Sequence, residues 1–226
     1  MDFHDPVSSW SHLLMAFWMI FVCMFLLKIT ATHRRQQRAG IAIYSLTVVL
    51  LYFMSGLFHG LNHPSPEVRR LWQLLDQTAI FWLIFGSNVP ICVYVLSNRV
   101  RNRILGLLFA IAFGGTLYLW LMPKPPHEVL IGIYVGMGIS SMLPLRSYYR
   151  RLGRNGLVWI FLLAFLYVIG AVFEGIRWPV IVPGWLGPHE VLHLFDVAGT
   201  IAHLRLLMIN VIPKHRSFRE LKAVRG

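Results

Sequence analysis

HLLMAFWMIFVCMFLLKIT, residues 12–30, contains a single charged side chain, Lys28, in nineteen residues. A helix needs about 20 consecutive apolar residues to cross the hydrocarbon core of a bilayer. The same composition extends along all 226 residues, which are 57% hydrophobic and 13% charged, with a mean hydropathy of +0.62. Soluble domains carry about 25% charged residues. The chain is therefore predicted to be an integral membrane protein.

Seven such apolar runs are separated by short segments rich in proline or in charge. They predict an all-α integral membrane fold, in which residues 1–226 form a single seven-transmembrane helix bundle. Continuous runs argue against a membrane β-barrel, whose strands are segments of about ten residues with alternating hydrophobicity. The predicted helices cover residues 12–30, 41–61, 72–96, 104–122, 129–145, 157–174 and 189–212.

Basic residues are distributed unevenly between the two sides of this bundle. Sixteen lysines and arginines fall in the odd-numbered loops and the C-terminal tail, whereas the even-numbered loops hold four. Cytoplasmic loops are enriched in Lys and Arg, so the N-terminus is predicted outside and the C-terminus in the cytoplasm, with the cell (inner) membrane as the expected location. Topology and anionic lipids explain the net charge of +12. Membrane lipids, and no nucleic acid, are the predicted partners.

The last predicted helix carries a polar stripe. Ionisable residues inside a bilayer are costly and usually face the bundle interior, so the stripe is a candidate functional site. Contacts with neighbouring helices would equally explain any one of its histidines. At 100° per residue, its five members share one face of the helix: His189, His193, Asp196, Thr200 and His203.

Two other predicted helices bring polar residues to the depth of His189 and His193. The second helix ends with Ser55-x-x-x-His59, and the third carries Asp76 near its start. The spacing of His189 and His193 places two imidazoles one helical turn apart, where both can reach one metal ion. Three histidines with an open fourth position are typical of catalytic zinc, whereas structural zinc sites are usually closed by four protein ligands.

These segments resemble the haemolysin III and adiponectin receptor (progestin and adipoQ receptor) family, within a superfamily that includes the alkaline ceramidases. SGLFH at 55–59, LD at 75–76 and GSNVP at 86–90 are similar to the second and third helices of the family. HEVLH at 189–193, with His203 downstream, is similar to its seventh helix. The resemblance implies a seven-helix bundle with Zn²⁺ near one face, held by His59, His189 and His193. It also implies that Asp76 touches the metal-bound water, with Ser55 beside it.

Two functions follow from such a site. The first is a zinc-dependent membrane hydrolase that cleaves a lipid amide or ester in a ceramidase-like reaction through a metal-activated water. Asp76 would act as a base or orient the water, and Ser55 would stabilise the oxyanion. The alternative is a non-catalytic, receptor-like protein that senses a lipid ligand or serves membrane homeostasis, with a structural zinc. A third function, an ion or proton pathway, rests only on the lower part of the polar stripe.

Some polar residues have competing interpretations. Asp76 also suits the N-cap of the third helix. Asp196 has three open roles: contact with a ligand histidine, part of a proton path, or a polar clasp between helices. His63, His127 and Glu174 lie near the outer loops and are interpreted as solvated. The alternative for His63 is a further metal contact.

The family's adiponectin receptors keep the N-terminus in the cytoplasm, so the predicted orientation departs from theirs.

Overall fold

A computed structural model describes residues 5–213, which form seven helices and contain no β-strand. The basic tail that was predicted to be cytoplasmic, residues 214–226, lies outside the described residues, as do residues 1–4. The helices are α1 Pro6–Ile29, α2 Arg35–Gly60, α3 Pro66–Val95, α4 Asn98–Leu121, α5 His127–Ser141, α6 Leu145–Ile176 and α7 Pro188–Arg205, which continues as a π-helix over Leu206–Val211.

The predicted all-helical membrane fold is confirmed, and it differs from the prediction at α5. In the described part of the chain, six helices are long and apolar enough to cross a membrane: α1 to α4, α6, and α7 with its π-helical end. Helix α5 has 15 residues, a length of about 22 Å against a hydrocarbon core of about 30 Å. The predicted run over 129–145 is shorter in the structure because the chain turns after Ser141 and α6 begins at Leu145.

Helices α1 and α3 begin six residues before their apolar runs. In each, a side chain caps the first turn: Asp5 accepts a hydrogen bond from the Ser8 amide, and Ser65 accepts one from the Val68 amide, both at 3.4 Å. A proline follows each cap at the first helical position, where its missing N–H costs nothing. These caps extend α1 and α3 beyond the predicted spans.

Helix α6 also begins before its apolar run. A kink divides it into a short first segment and a longer apolar segment. Gly153 has φ 73° and ψ −173°, a non-helical conformation inside the element. Only glycine adopts this backbone region without strain. Residues 145–152 before the kink are rich in arginine, and the apolar part follows it. Hydropathy therefore predicts a start at 157, whereas helical structure begins at Leu145.

Close packing fixes the start of α1 against the end of α2. A Cβ on Gly56 would lie 2.7 Å from Leu13 Cγ and 3.0 Å from the Leu13 backbone nitrogen. The Ser9 hydroxyl donates to the Gly56 carbonyl at 2.9 Å, and the Asp5 amide donates to the His59 carbonyl at 3.2 Å. A small residue lets two membrane helices approach. Here it brings the N-terminus of α1 to the C-terminal end of α2.

Candidate metal centre

Three histidines meet where the C-terminal end of α2 adjoins the N-terminal half of α7. His189 Nε2 lies 3.2 Å from His59 Nε2 and 3.0 Å from His193 Nε2. The candidate ligand atoms of all three lie within 4.8 Å of one another, and His59 and His193 are buried. The structure thus brings together the three histidines that were predicted to bind zinc.

The separations between the three Nε2 atoms suit a tetrahedral zinc ion. With Zn–N bonds of 2.0–2.1 Å, the nitrogens of two such ligands lie about 3.3 Å apart, close to the 3.0 and 3.2 Å found here. Imidazole nitrogens at this spacing repel one another if each presents a lone pair. A shared cation removes the repulsion, so the donor set fits zinc.

The other ring nitrogen of each histidine contacts a different part of the chain. Carboxylates only accept hydrogen bonds, so two of these contacts favour a proton on Nδ1 and an unprotonated Nε2. Histidines that bind metals usually show this arrangement. The contacts are His59 Nδ1 to Asp5 Oδ2 at 3.3 Å, His189 Nδ1 to Glu174 Oε1 at 3.4 Å, and His193 Nδ1 to His12 Nε2 at 2.7 Å.

Asp5, which caps α1, is the anion beside His59. Partial burial by itself raises the pKa of Asp5, but hydrogen bonds from His59 and Ser8 outweigh burial and lower this pKa to about 2. Asp5 is therefore ionised at neutral pH, and as a carboxylate it can only accept a hydrogen bond from the facing Nδ1 of His59.

Asp76 and Ser55 lie side by side next to the three histidines. The Asp76 carboxyl interacts with the Ser55 hydroxyl and electrostatically with His59 and His189. Ser55 is buried on α2, one turn before His59. Asp76 is not in the group of ligand atoms formed by the three histidines. Its interpretation as an N-cap is wrong, because α3 begins at Pro66 and is capped by the residue before that.

Three residues at this site were not predicted from the sequence: Asp5, His12 and Glu174. Glu174 was interpreted as solvated, and this is wrong, since its side chain is 22% exposed and contacts His189. Asp5 lies before the first apolar run and His12 at its edge. The sequence does indicate the depth of these three residues. In the predicted topology, the start of helix one and the end of helix six lie at the same membrane level as His59.

Asp196 lies beside the site, next to His193. Ligand atoms of Asp196, His12 and His193 form a second group within 4.8 Å. The Asp196 backbone carbonyl accepts a hydrogen bond from the Tyr52 hydroxyl at 3.0 Å. Of the three roles left open for Asp196, contact with a candidate ligand histidine is the one that this geometry supports.

The lower part of the α7 stripe contacts neighbouring helices instead. The Thr200 hydroxyl lies 2.7 Å from the Tyr52 hydroxyl on α2 and 3.1 Å from the Tyr167 hydroxyl on α6. His203 Nε2 donates to the Ser87 carbonyl on α3 at 3.0 Å. These contacts give Thr200 and His203 packing roles.

A cavity of about 310 Å³ opens beside the histidines. His63 lies on its wall, and His63 Nε2 donates to the Phe58 carbonyl at 3.0 Å. The wall combines two of the site histidines with residues from the α2–α3 turn and the first turns of α3. Its lining residues are Asp5, Phe58, His59, His63, Arg69, Gln73 and His189.

A bundle with six membrane-length helices and a cluster of three histidines defines a multi-pass helical membrane protein with a candidate metal centre. The model of one known family, described as haemolysin-III related, matches residues 3–204. The chain belongs to this family, as the helix motifs predicted.

Relatives in this family come from bacteria and eukaryotes. Hemolysin-3 of Bacillus cereus is 25% identical over 171 residues, which are 76% of this chain and 74% of that protein. The adiponectin receptor protein of Drosophila melanogaster is 24% identical over 213 residues, 87% of this chain and 48% of that protein. ADIPOR-like receptor IZH2 of Saccharomyces cerevisiae is 26% identical over 226 residues, 91% of this chain and 71% of that protein. The chain thus spans about half the length of the fly relative.

Proposed function

We propose that this protein is a zinc-dependent membrane hydrolase that cleaves an amide or ester bond of a lipid. The observation that carries the proposal is the convergence of three histidine Nε2 atoms at 3.0 and 3.2 Å. In addition, each of these rings has its Nδ1 held by another residue. Packing alone does not require three such rings to face one point.

His59, His189 and His193 would hold the metal through Nε2. Asp5 and Glu174 would fix two of the rings in the tautomer that binds metal. Zinc held by three histidines supplies an open coordination position, a Lewis acid for a carbonyl oxygen, and water that ionises near neutral pH.

Asp76 would take the proton of the attacking water and pass it to the departing nitrogen or oxygen of the lipid. Hydrolysis adds the water oxygen to the acyl carbon and breaks the acyl bond, which releases a carboxylic acid and an amine or alcohol. Ser55, which contacts Asp76, would donate its one O–H to this carboxylate until Asp76 has taken the proton, and would then donate it to the developing oxyanion.

Turnover by zinc-loaded, full-length protein tests this function. We expect release of fatty acid from at least one class among ceramides, lysolipids and acyl amides. Asp76→Asn should lower kcat by about 100-fold or more, the range for general acid–base catalysis, and should retain zinc. Absence of product from every lipid class with zinc-loaded wild type would overturn the hydrolase proposal.

The second candidate function is a receptor-like, non-catalytic protein that senses a lipid or serves membrane homeostasis. It is favoured by the names of two relatives, the adiponectin receptor protein of the fly and the ADIPOR-like receptor of yeast. It predicts a structural role for zinc, so zinc removal would lower the melting temperature while no lipid product appears under any condition.

We also propose that all seven helices cross the membrane, with the N-terminus outside and the C-terminus in the cytoplasm. The charge distribution supports this orientation. Cysteines introduced by Asn62→Cys should react with an impermeant maleimide in intact cells, whereas Ser97→Cys and Leu143→Cys should react only after permeabilisation. Labelling of Leu143→Cys in intact cells would contradict a crossing by α5.

A further inference from the structure

We infer that the cavity beside the histidines binds the phosphate group of a lipid headgroup, with Arg69 as its main ligand. This inference rests on the proposed function and names the substrate class for that site. The observation behind it is that one cavity of about 310 Å³ is lined both by two of the three clustered histidines, His59 and His189, and by the cationic side chain of Arg69.

Arg69 is the cationic group of the cavity wall that has no partner. It lies in the first turn of α3, its side chain is exposed, and within residues 5–213 its guanidinium forms no hydrogen bond or ion pair. A guanidinium presents five N–H donors in a planar fork, which matches two oxygens of a phosphate. Arg69 is therefore available to an anion that enters the cavity.

The other polar groups on the wall are suited to the same anion. The Gln73 carbonyl oxygen accepts a hydrogen bond from Arg70 at 3.3 Å, which leaves the Gln73 amide group as a second donor. His63 uses its Nε2–H on the Phe58 carbonyl. The acid of the wall, Asp5, faces His59 at 3.3 Å and is thereby engaged with that ring. The free hydrogen-bonding groups are mainly donors.

The size and surroundings of the cavity favour a lipid headgroup over a whole lipid. Pockets for small molecules range over about 300–1,000 Å³, and this cavity is at the lower end. It opens at one end of helices that cross the membrane, so an acyl chain can stay among apolar surfaces while the headgroup enters. In a single-chain glycerophospholipid, the glycerol alone separates the ester from the phosphate, so both groups fit one cavity.

Binding of three matched probes to the full-length protein in a neutral detergent tests the inference. The probes are 1-oleoyl-glycerol 3-phosphate, the neutral 1-oleoyl-glycerol, and glycerol 3-phosphate without a chain. We expect the phosphate-bearing lipid to bind at least 10-fold more tightly than either of the others. R69A should weaken its binding by about 10-fold or more, the loss expected for a charged hydrogen bond, and R69K should give an intermediate loss, because lysine lacks the planar fork.

The matched control is K124A, which removes a positive charge from the exposed α4–α5 turn and should change binding by less than about 2-fold, since Lys124 is not on the wall. Equal losses in R69A and K124A would overturn the inference in favour of general surface charge. Equal binding of the neutral lipid would overturn it as well, and equal binding of glycerol 3-phosphate would replace the lipid by a free phosphate.

Repeating the measurement after zinc removal separates this inference from the proposed function. Retained binding of the phosphate lipid, still sensitive to R69A, supports the Arg69 site even if no lipid is hydrolysed. Loss of all binding on zinc removal would assign the phosphate to the metal and overturn the role of Arg69.

Discussion

The two halves of the polar stripe on α7 look alike in sequence and differ in their surroundings. In the first half, the Nε2 atoms of His189 and His193 face each other and His59. In the second half, Thr200 lies between two tyrosine hydroxyls, and His203 donates to a backbone carbonyl. Helical periodicity places all these residues on one face, but only the neighbouring helices distinguish a site from packing.

The strongest test of this difference is metal removal. A ligand that binds only the folded protein at 1,000 times its Kd stabilises it by about 4 kcal/mol. Chelation should therefore lower the melting temperature of wild type and of His203→Ala by similar amounts, whereas His189→Ala should show no change on chelation. Equal sensitivity of all three proteins in a thermal scan would mean that the two halves of the stripe do not differ in metal binding.

Removing the carboxylates that contact the histidine Nδ1 atoms should have the next largest effect on metal binding. Asp5→Asn and Glu174→Gln remove the carboxylates that face His59 and His189, and loss of such partners weakens metal binding by about 10–100-fold. Competition with a fluorescent zinc chelator measures the change. Glu128→Gln, an exposed acid at the start of α5 that is not in the group of ligand atoms, is the control. An affinity for zinc that is unchanged in all three variants would show that the carboxylates do not support the site.

The third largest effect is expected from a change in the helix packing at Gly56. Gly56→Ala should destabilise the protein by about 1–3 kcal/mol, the usual cost of overpacking, because its methyl group would meet Leu13. It should also weaken zinc binding, since His12 on α1 and Asp5 at its N-cap are two of the Nδ1 partners. Gly132→Ala, where a Cβ has open space, serves as the control in thermal unfolding and zinc titration. Normal stability in both variants would contradict the close approach of α1 and α2.

The smallest effect is expected in the lower half of the stripe. Thr200→Val keeps the shape of the side chain and removes the hydroxyl that contacts Tyr52 and Tyr167. Such hydrogen bonds between membrane helices contribute about 0.6 kcal/mol on average, so the melting temperature should fall slightly. Zinc affinity should stay at the wild-type value, and a clear loss of zinc would link this half of the stripe to the metal site.

The sequence predicts the depth of these residues in the membrane better than it predicts which residues they contact. Hydropathy and charge place the end of helix two and the start of helix seven at one membrane face, so His59 and His189 fall at the same depth. The partners depend on features without a hydropathy signal, such as the Asp5 cap and the approach at Gly56. Glu174 lies in the last turn of α6, and nothing in its local sequence indicates the histidine that it contacts.

The length of α5 shows a second limit of the sequence. The apolar run over 129–145 predicts a helix that reaches residue 145, but helix length depends on where the chain turns. Here α5 ends at Ser141, and the chain enters the arginine-rich start of α6 at Leu145. In contrast, Gly153, Asp5 and Ser65 belong to residue types with familiar backbone roles, glycine at a kink and Asp or Ser as a helix cap. These three residues explain where α1, α3 and α6 depart from the predicted bounds.

Zinc content of the purified protein tests the central claim most directly. Metal analysis should find one zinc per chain in wild type and in His203→Ala, and almost none in His59→Ala, His189→Ala and His193→Ala. Folded wild type without metal after purification and incubation with zinc would contradict the account. So would variants that lack one of the three clustered histidines and still hold a full equivalent of zinc.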